Sequence, residues 1–298
     1  MAAAAGIVVD RLVGEAGMEP HPVALFGSLM AALEGPMWRD RRAAGLAYTA
    51  VGVGIGAGDG AALRSTTAAA SQAVAGRLLG ETASAIGCAL DDGDLDRARR
   101  LLPSLAGRDP SALDEDGIVR AVVESVAENT VDAVVAPALW AALLGSPGAL
   151  GYRAANTLDA MVGHHSPRYE RFGWASARLD DVAGWVPARV TAALVAAARP
   201  ASATAVWRAV RDDAAGHPSP NAGVAEAAFA AALGVRLGGT NRYGGRVEDR
   251  ARLGVGRPPQ RSDIAAAVEL SGHVSLALAA ALAACGVADR LRRRPTLR

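Results

Sequence analysis

Residues Val123 to Trp140 read V-E-S-V-A-E-N-T-V-D-A-V-V-A-P-A-L-W, a polar motif running straight into an uncharged stretch. Glu124, Glu128 and Asp132 recur at every fourth position, so on a helix they form one stripe that drifts by about 40° per step. Like charges at that spacing repel by a few tenths of a kcal/mol per pair, and more where the helix leads into a low-dielectric phase. A cation is therefore wanted: an arginine from elsewhere, or a hard metal such as Mg²⁺, which takes oxygen ligands and bridges to phosphate. The spacing by itself also fits a solvated acidic face, with Ser125 and Glu128 as a capping box ahead of the apolar run.

Outward from this motif the chain alternates apolar runs with polar punctuation. Ala133 to Tyr152 is 20 residues without Asp, Glu, Lys or Arg, although Pro137, Pro147 and Gly148 should kink it. Val182 to Ala198 is apolar apart from Arg189, and Leu270 to Ala288 is 19 residues with His273 as the one titratable group apart from Cys285. These three runs are the strongest candidates to cross a membrane, and Ala43 to Gly58, 16 uncharged Gly-rich residues, is a shorter fourth. Before them, Asp10 to Val23 reads as a loop or broken helix, and the nine residues ahead of Asp10 are too few to span a bilayer that needs about 20. Ala24 to Leu33 reads as a short apolar helix, and Trp38 beside Arg39 as an interfacial anchor.

Ser65 to Leu90 reads as one continuous Ala-rich helix with an Arg77–Glu81 pair. Asp91-Asp92-Gly93-Asp94 ends it as a cap and turn, Leu95 to Leu105 is amphipathic, and Gly107-Arg108-Asp109-Pro110 is a turn. Arg290, Arg292, Arg293 and Arg294 crowd the end of the last apolar run, which places the C-terminus in the cytoplasm. The fold class expected is all-α: a multi-pass helical membrane protein of Ala/Gly-rich helices with polar loops between them, forming a single domain over residues 1–298.

Composition removes several kinds of chemistry. Formal net charge is +1, so there is no electrostatic case for nucleic acid. Lysine is absent, which excludes a Walker A lysine, a Schiff-base lysine and a lysine general base. Cys88 and Cys285 lie far apart in apolar surroundings without CxxC spacing, which argues against a disulfide framework or a cysteine metal site. The N-terminus lacks a basic segment ahead of its apolar run and does not read as a cleaved signal peptide.

Arg153 to Asp181 concentrates Asn156, Asp159, His164, His165, Arg168, Arg171, Arg178, Asp180 and Asp181 between two apolar runs. Charges beside membrane helices are costly and usually functional, while an aqueous loop would look the same by charge alone. Sequence motifs separate the two readings. Glu124 to Asp132, Tyr152 to Gly163 (Y-R-A-A-N-T-L-D-A-M-V-G), Arg171 to Asp181 (R-F-G-W-A-S-A-R-L-D-D) and Pro187-Ala188-Arg189 resemble the adenosylcobinamide-phosphate synthase (CobD/CbiB) family of cobalamin biosynthesis. His21-Pro22-Val23, Gly216 to Gly223 (G-H-P-S-P-N-A-G) and Gly238 to Gly244 (G-G-T-N-R-Y-G) look like its other signatures. The motifs fall in matching order over nearly the whole chain, which is far more specific than one short motif. The chain departs from the pattern at Val131 and Ala133 beside Asp132, at the His164-His165 pair, at Gly184 where an Asn is expected, and at Val224-Ala225.

The resemblance implies a multi-pass protein of the cell membrane, with its active site facing the cytoplasm. It implies an enzyme that joins the propionate carboxylate of adenosylcobyric acid to (R)-1-amino-2-propanol O-phosphate, or to aminopropanol, as an amide, with ATP and Mg²⁺. Such a reaction must activate a carboxylate, most simply as an acyl phosphate. It needs cationic groups on phosphoryl oxygens and a base for the ammonium proton. Glu124, Glu128, Asp132, Asp159, Asp180 and Asp181 are the catalytic candidates, with Glu128 and Asp132 as Mg²⁺ ligands. Arg153, Arg178 and Arg189 are the anion clamps, because the guanidinium fork suits phosphate and carboxylate alike. Asn129, Asn156, Ser219 and Asn221 orient substrate. Partners are the corrinoid, aminopropanol phosphate and membrane lipid, with room for association with other corrinoid-pathway enzymes. Two further readings stay open: a non-catalytic membrane component that holds or passes corrinoid, and a soluble Ala-rich helical protein.

Overall fold

The structure, a computed structural model, describes residues 1–14, 22–107, 110, 111, 113–243 and 246–292, and of 240–250 the backbone alone. His21, Arg108, Asp109, Gly244, Arg293 and Arg294 lie outside the described residues. Twelve described helices follow in order: α1 (Ala2–Val13), α2 (Pro22–Met37), α3 (Arg42–Leu63), α4 (Thr66–Ala73), α5 (Gly76–Asp91), α6 (Leu95–Leu101), α7 (Glu115–Thr130), α8 (Ala136–Val162), α9 (Trp174–Ala198), α10 (Ala203–Asp212), α11 (Ala222–Leu233) and α12 (Arg261–Arg292). A π turn, Val131–Val135, joins α7 to α8, and the antiparallel strands β1 (Leu237–Tyr243) and β2 (Arg246–Leu253) stand between α11 and α12. Four stretches are long and apolar enough to cross a membrane: Arg42–Leu63, Glu115–Val162, Trp174–Ala198 and Arg261–Arg292. The chain is an all-α, multi-pass membrane protein, and its one small hairpin does not alter that class. Leu143, Leu144 and Val182 are 72%, 61% and 73% exposed, apolar surface of the kind lipid covers.

The chain divides into two compact units. The first holds Met1–Ala75, Ala136–Ala183 and Leu276–Arg298; the second holds Gly76–Val135 and Gly184–Ser275. In the first, α3 lies against α8 through a row of glycines. A Cβ on Gly56 would stand 2.6 Å from the Ala154 Cβ and 2.7 Å from the Leu150 carbonyl oxygen, and one on Gly52 2.7 Å from Leu158. One on Gly60 would collide with the Ser146 carbonyl. The sequence V-G-V-G-I-G-A-G-D-G thus sorts its glycines by helical period: those at 52, 56 and 60 face α8, while Gly54 and Gly58 meet nothing within 4 Å. Opposite Gly60, α8 bends. Gly145 takes φ 70°, ψ −151°, and Pro147 follows without an N–H to donate. The bend is sharp enough that a Cβ on Gly148 would collide with the carbonyl of Trp140, eight residues earlier, which a straight helix would hold about 12 Å away. The kink expected from Pro147 and Gly148 is present, with Gly145 supplying the positive φ.

Polar contacts finish the first unit. The Thr49 and Ser176 hydroxyls meet at 2.8 Å between α3 and α9, and the Tyr48 hydroxyl donates to the Met30 carbonyl at 3.1 Å. In the second unit α7 packs on α5 and α11. Gly87 of α5 lies against Ile264 of α12, and Thr130 donates to Ser271 at 2.8 Å.

Three sequence expectations change. Ser65 to Leu90 is two helices, broken where Val74 is extended and Gly76, a poor helix former, begins α5. Ser125 caps nothing: it is buried mid-helix, and the N-cap of α7 is Asp114, which accepts from the Gly117 N–H at 2.9 Å. Leu95 to Leu105 is helical only to Leu101 before a 3₁₀ turn over Leu102–Ser104. The acidic turn behaves as read, with Gly93 at φ 75° and Asp94 capping α6 through the Arg97 N–H.

The glycine row makes a like-for-like test. Gly56→Ala and Gly60→Ala each overpack the α3–α8 contact and should destabilise by about 1–3 kcal/mol. Gly54→Ala and Gly58→Ala should be neutral or stabilising by up to about 1 kcal/mol, since they only remove backbone freedom. Thermal unfolding in detergent reads the difference, and equal effects at all four positions would contradict this packing.

Candidate functional site

The expected site residues fall into both units. Arg153, Asn156, Asp159, Arg178, Asp180 and Asp181 belong to the first; Glu124, Glu128, Asn129, Asp132, Arg189, Ser219 and Asn221 belong to the second.

In the first unit, α8 beyond its bend carries Arg153, Asn156, Thr157 and Asp159 within two turns. Asn156 donates from Nδ2 to Asp180 Oδ1 on α9 at 3.2 Å, joining the A-A-N-T-L-D and A-R-L-D-D motifs. On the same helix end Arg178 sits 3.5 Å from Asp181, an ion pair whose arginine is 67% exposed. The Asp159 carboxylate rests over Gly163, where a Cβ would force it to move. Arg153 lines a mostly apolar cavity of about 250 Å³ with Pro22, Val23, Phe26, Asp59 and Gln72. Few charged groups on apolar walls fix orientation strongly, because little water competes for them.

The loop joining α8 to α9 is held by an anchor that composition did not reveal. Glu34 Oε1 accepts from Arg168 Nε at 3.1 Å, from Arg168 Nη2 at 2.8 Å and from the Tyr169 hydroxyl at 2.9 Å. These bonds push the Arg168 guanidinium above its ordinary pKa. Its plane lies 4.9 Å from the Trp38 ring, and the Trp38 N–H donates to the Arg168 carbonyl. In the same loop His164 meets Tyr169 edge-on and His165 pairs with Glu170 at 3.1 Å.

In the second unit the carboxylate stripe is not one solvated face. Glu124 is 1% exposed, and its Oε1 accepts from the Gly238 N–H at 2.9 Å. Glu128 and Asn129 are half-buried at the end of α7, and Asn129 donates to the Ser125 carbonyl at 2.9 Å. Asp132, half-buried, lies inside the π turn, so the spacing that aligns it on a regular helix no longer applies. Such turns inside helices are frequent at functional sites.

Arg189 is fixed on three oxygens. Its Nη1 donates to the carbonyls of Trp185 at 3.1 Å and Pro220 at 3.2 Å and to Asn221 Oδ1 at 3.2 Å, with the guanidinium 4.4 Å from the Trp185 ring. The Asn221 amide occupies the space Gly184 leaves: a Cβ on Gly184 would stand 2.6 Å from Asn221 Nδ2. The departure at Gly184 therefore makes room for a buried amide rather than merely losing one. Ser219 Oγ accepts from the N–H groups of Asn221 and Ala222, starting α11. His217 Nδ1 lies 3.1 Å from both the Ser219 N–H and the Ser219 carbonyl oxygen, and its Nε2 stands 3.6 Å from Glu226 Oε1. His217 and Glu226 are 8% and 4% exposed at the side chain. His217 sits in the quoted G-H-P-S-P-N-A-G motif without an assigned role, and Glu226, the one carboxylate between Asp213 and Arg236, was the signal available for its partner.

Among the described residues no three His, Cys, Asp or Glu side chains gather as a metal cage. Mg²⁺ does not require one. It is commonly held by one or two carboxylates and completed by water and substrate phosphate, and Glu128 and Asp132, both half-buried, are the residues that would hold it.

The Gly184–Asn221 fit is testable by a double-mutant cycle. Gly184→Ala should lower stability by about 1–3 kcal/mol. In the Asn221→Ala background it should cost less, with a coupling of about 0.5–3 kcal/mol in detergent unfolding. Strict additivity would contradict the contact.

Comparison with known proteins points one way. The family model described as CobD/Cbib protein matches residues 3–271. The cobalamin biosynthesis protein CobD of Mycobacterium tuberculosis H37Rv is 49% identical, over 98% of this chain and 97% of the relative. CobD of Chromobacterium violaceum is 41% identical over 93% of this chain and 95% of the relative, and CobD of Geobacter metallireducens 42% over 83% and 84%. No solved structure matches the chain.

Proposed function

Because the chain belongs to the CobD/CbiB family of cobalamin biosynthesis proteins, we propose that it joins the adenosylcobyric acid carboxylate to the amine of (R)-1-amino-2-propanol O-phosphate at the expense of ATP. The observation that best supports this is the Asn156–Asp180 bond, which draws two separated motifs into one polar patch in the unit where Arg153 lines a cavity. A carboxylate in water does not condense with an amine unless its oxygen is made a leaving group. Phosphoryl transfer from ATP does that, releasing ADP; attack by the amine nitrogen then expels phosphate and sheds one proton.

Asp180, oriented by Asn156, takes that proton, with Asp159 and Asp181 as the neighbouring carboxylates. Arg153 and Arg178 bind the anionic ends of the substrates in the first unit, where the guanidinium fork matches phosphate and carboxylate. In the second unit Glu128 and Asp132 would hold Mg²⁺, which would supply neutralisation of phosphoryl charge. Arg189 and Asn221, locked together, position substrate there, with Ser219 and Asn129 supporting. Glu124, tied to Gly238, sets the register of α7 against β1.

Purified protein in detergent, given adenosylcobyric acid, aminopropanol phosphate and Mg-ATP, should yield the amide by mass. Asp180→Asn and Asp132→Asn should each lower the rate by about 10² or more, the usual scale for a lost acid–base or charge-stabilising group, with the fold intact. Rates within about threefold of the parent, under roughly 1 kcal/mol, would remove that residue from the chemistry. A solvated-face role for Asp132 predicts the opposite sign, since losing a repelling charge is neutral or stabilising.

A further inference from the structure

The second unit contains a cavity of about 210 Å³ that none of the residues assigned so far lines. Its walls come from α7, through Asp116 and Arg120, from the Gly238-Gly239 start of β1 with the preceding Arg236, and from Arg252 near the end of β2. Among the described residues three arginines thus line one space with a single carboxylate, Asp116. Among the described residues neither Arg236 nor Arg252 is engaged in an ion pair. The third arginine is built in: Arg120 is 24% exposed at its side chain and lies 3.9 Å from the buried Glu124. Glu124 also holds the opposite wall, through the Gly238 N–H at 2.9 Å. Gly238 and Gly239 have φ 70° and 89°, a conformation that strains any residue with a Cβ and brings bare backbone to the cavity rim.

We infer that this cavity binds the polyphosphate tail of ATP, with Arg120, Arg236 and Arg252 as its cationic wall. The inference rests on the ligase reading for the identity of the nucleotide. Its chemistry rests on the site. In a chain without lysine, phosphate recognition falls to arginine, whose planar fork takes two oxygens of one phosphoryl group. Several such forks around one space suit several linked phosphoryl groups better than a lone carboxylate. The volume is below the 300–1,000 Å³ usual for whole drug-sized ligands, so it suits the tail and leaves the nucleoside outside. An anionic lipid headgroup shares the phosphate chemistry, and the experiment separates the two.

Full-length protein is placed in nanodiscs of phosphatidylcholine alone, and the affinities of AMP-PNP and of inorganic tripolyphosphate are measured without corrinoid or amine. The parent should bind both, and AMP more weakly. Arg236→Ser with Arg252→Ser should weaken AMP-PNP and tripolyphosphate by about 10–100-fold while corrinoid binding and the unfolding midpoint hold. If that variant does not fold, Arg236→Lys with Arg252→Lys keeps the charge and loses the fork, and should weaken both by about tenfold. AMP-PNP affinity unchanged in a folded variant overturns the assignment. So does a parent whose tripolyphosphate binding vanishes in discs enriched in phosphatidylglycerol, which would give the site to a headgroup. Because binding is read without turnover, the two claims fail separately. A parent that binds AMP-PNP here yet never forms the amide sinks the ligase reading alone. A double variant that forms it with an unchanged KM for ATP sinks this site alone.

Discussion

α8 can bend in the apolar interior of the first unit because α3 offers it backbone instead of side chains. Gly52, Gly56 and Gly60 bring the two helices close enough for a Cβ to be excluded, and the last of them sits against the carbonyl just before Pro147. Lipid gives helices no hydrophobic reason to associate, so close backbone approach and the dispersion it allows must hold them together. Beyond the bend, the same helix places Arg153, Asn156 and Asp159 within two turns, so the packing upstream sets the direction in which the polar face points.

Charges in such surroundings have to be satisfied locally, and the described contacts show how. Glu34 collects three donors from the loop after α8; Arg189 spreads over three oxygens and a tryptophan face; Glu124 takes a strand N–H. Each arrangement ties together segments far apart in sequence, and the buried Glu124 is the costliest to strip of its partner, because a buried charge left unpaired loses several kcal/mol. The same contacts that hold the fold therefore also fix Arg168, Arg189 and Glu124 in place.

Much of this was legible in the sequence. Uncharged length gave the spans, and Asp91 to Asp94 announced a cap. The motifs around Asn156 and Asp180 carried the family resemblance. What was not legible depended on partners distant in the chain or on backbone irregularity. Spacing put Glu124 on a stripe with Asp132, yet a π turn breaks the helical period after Thr130, and burial against Gly238 takes Glu124 out of solvent. Gly184 read as a lost amide, when Asn221 supplies an amide to that position from the loop before α11. No local pattern marks Arg120, Arg236 and Arg252 as neighbours, because a hairpin and a helix bring them to one cavity.

In the proposed reaction the carboxylate of the corrinoid is activated by phosphoryl transfer before the amine attacks. Adenosylcobyric acid labelled with ¹⁸O in the reacting carboxylate tests it most directly, by mass analysis of the phosphate released as the amide forms. One labelled oxygen should be carried into inorganic phosphate for each amide made, with ADP as the other product. Label appearing in AMP, or amide formed with unlabelled phosphate, would contradict it.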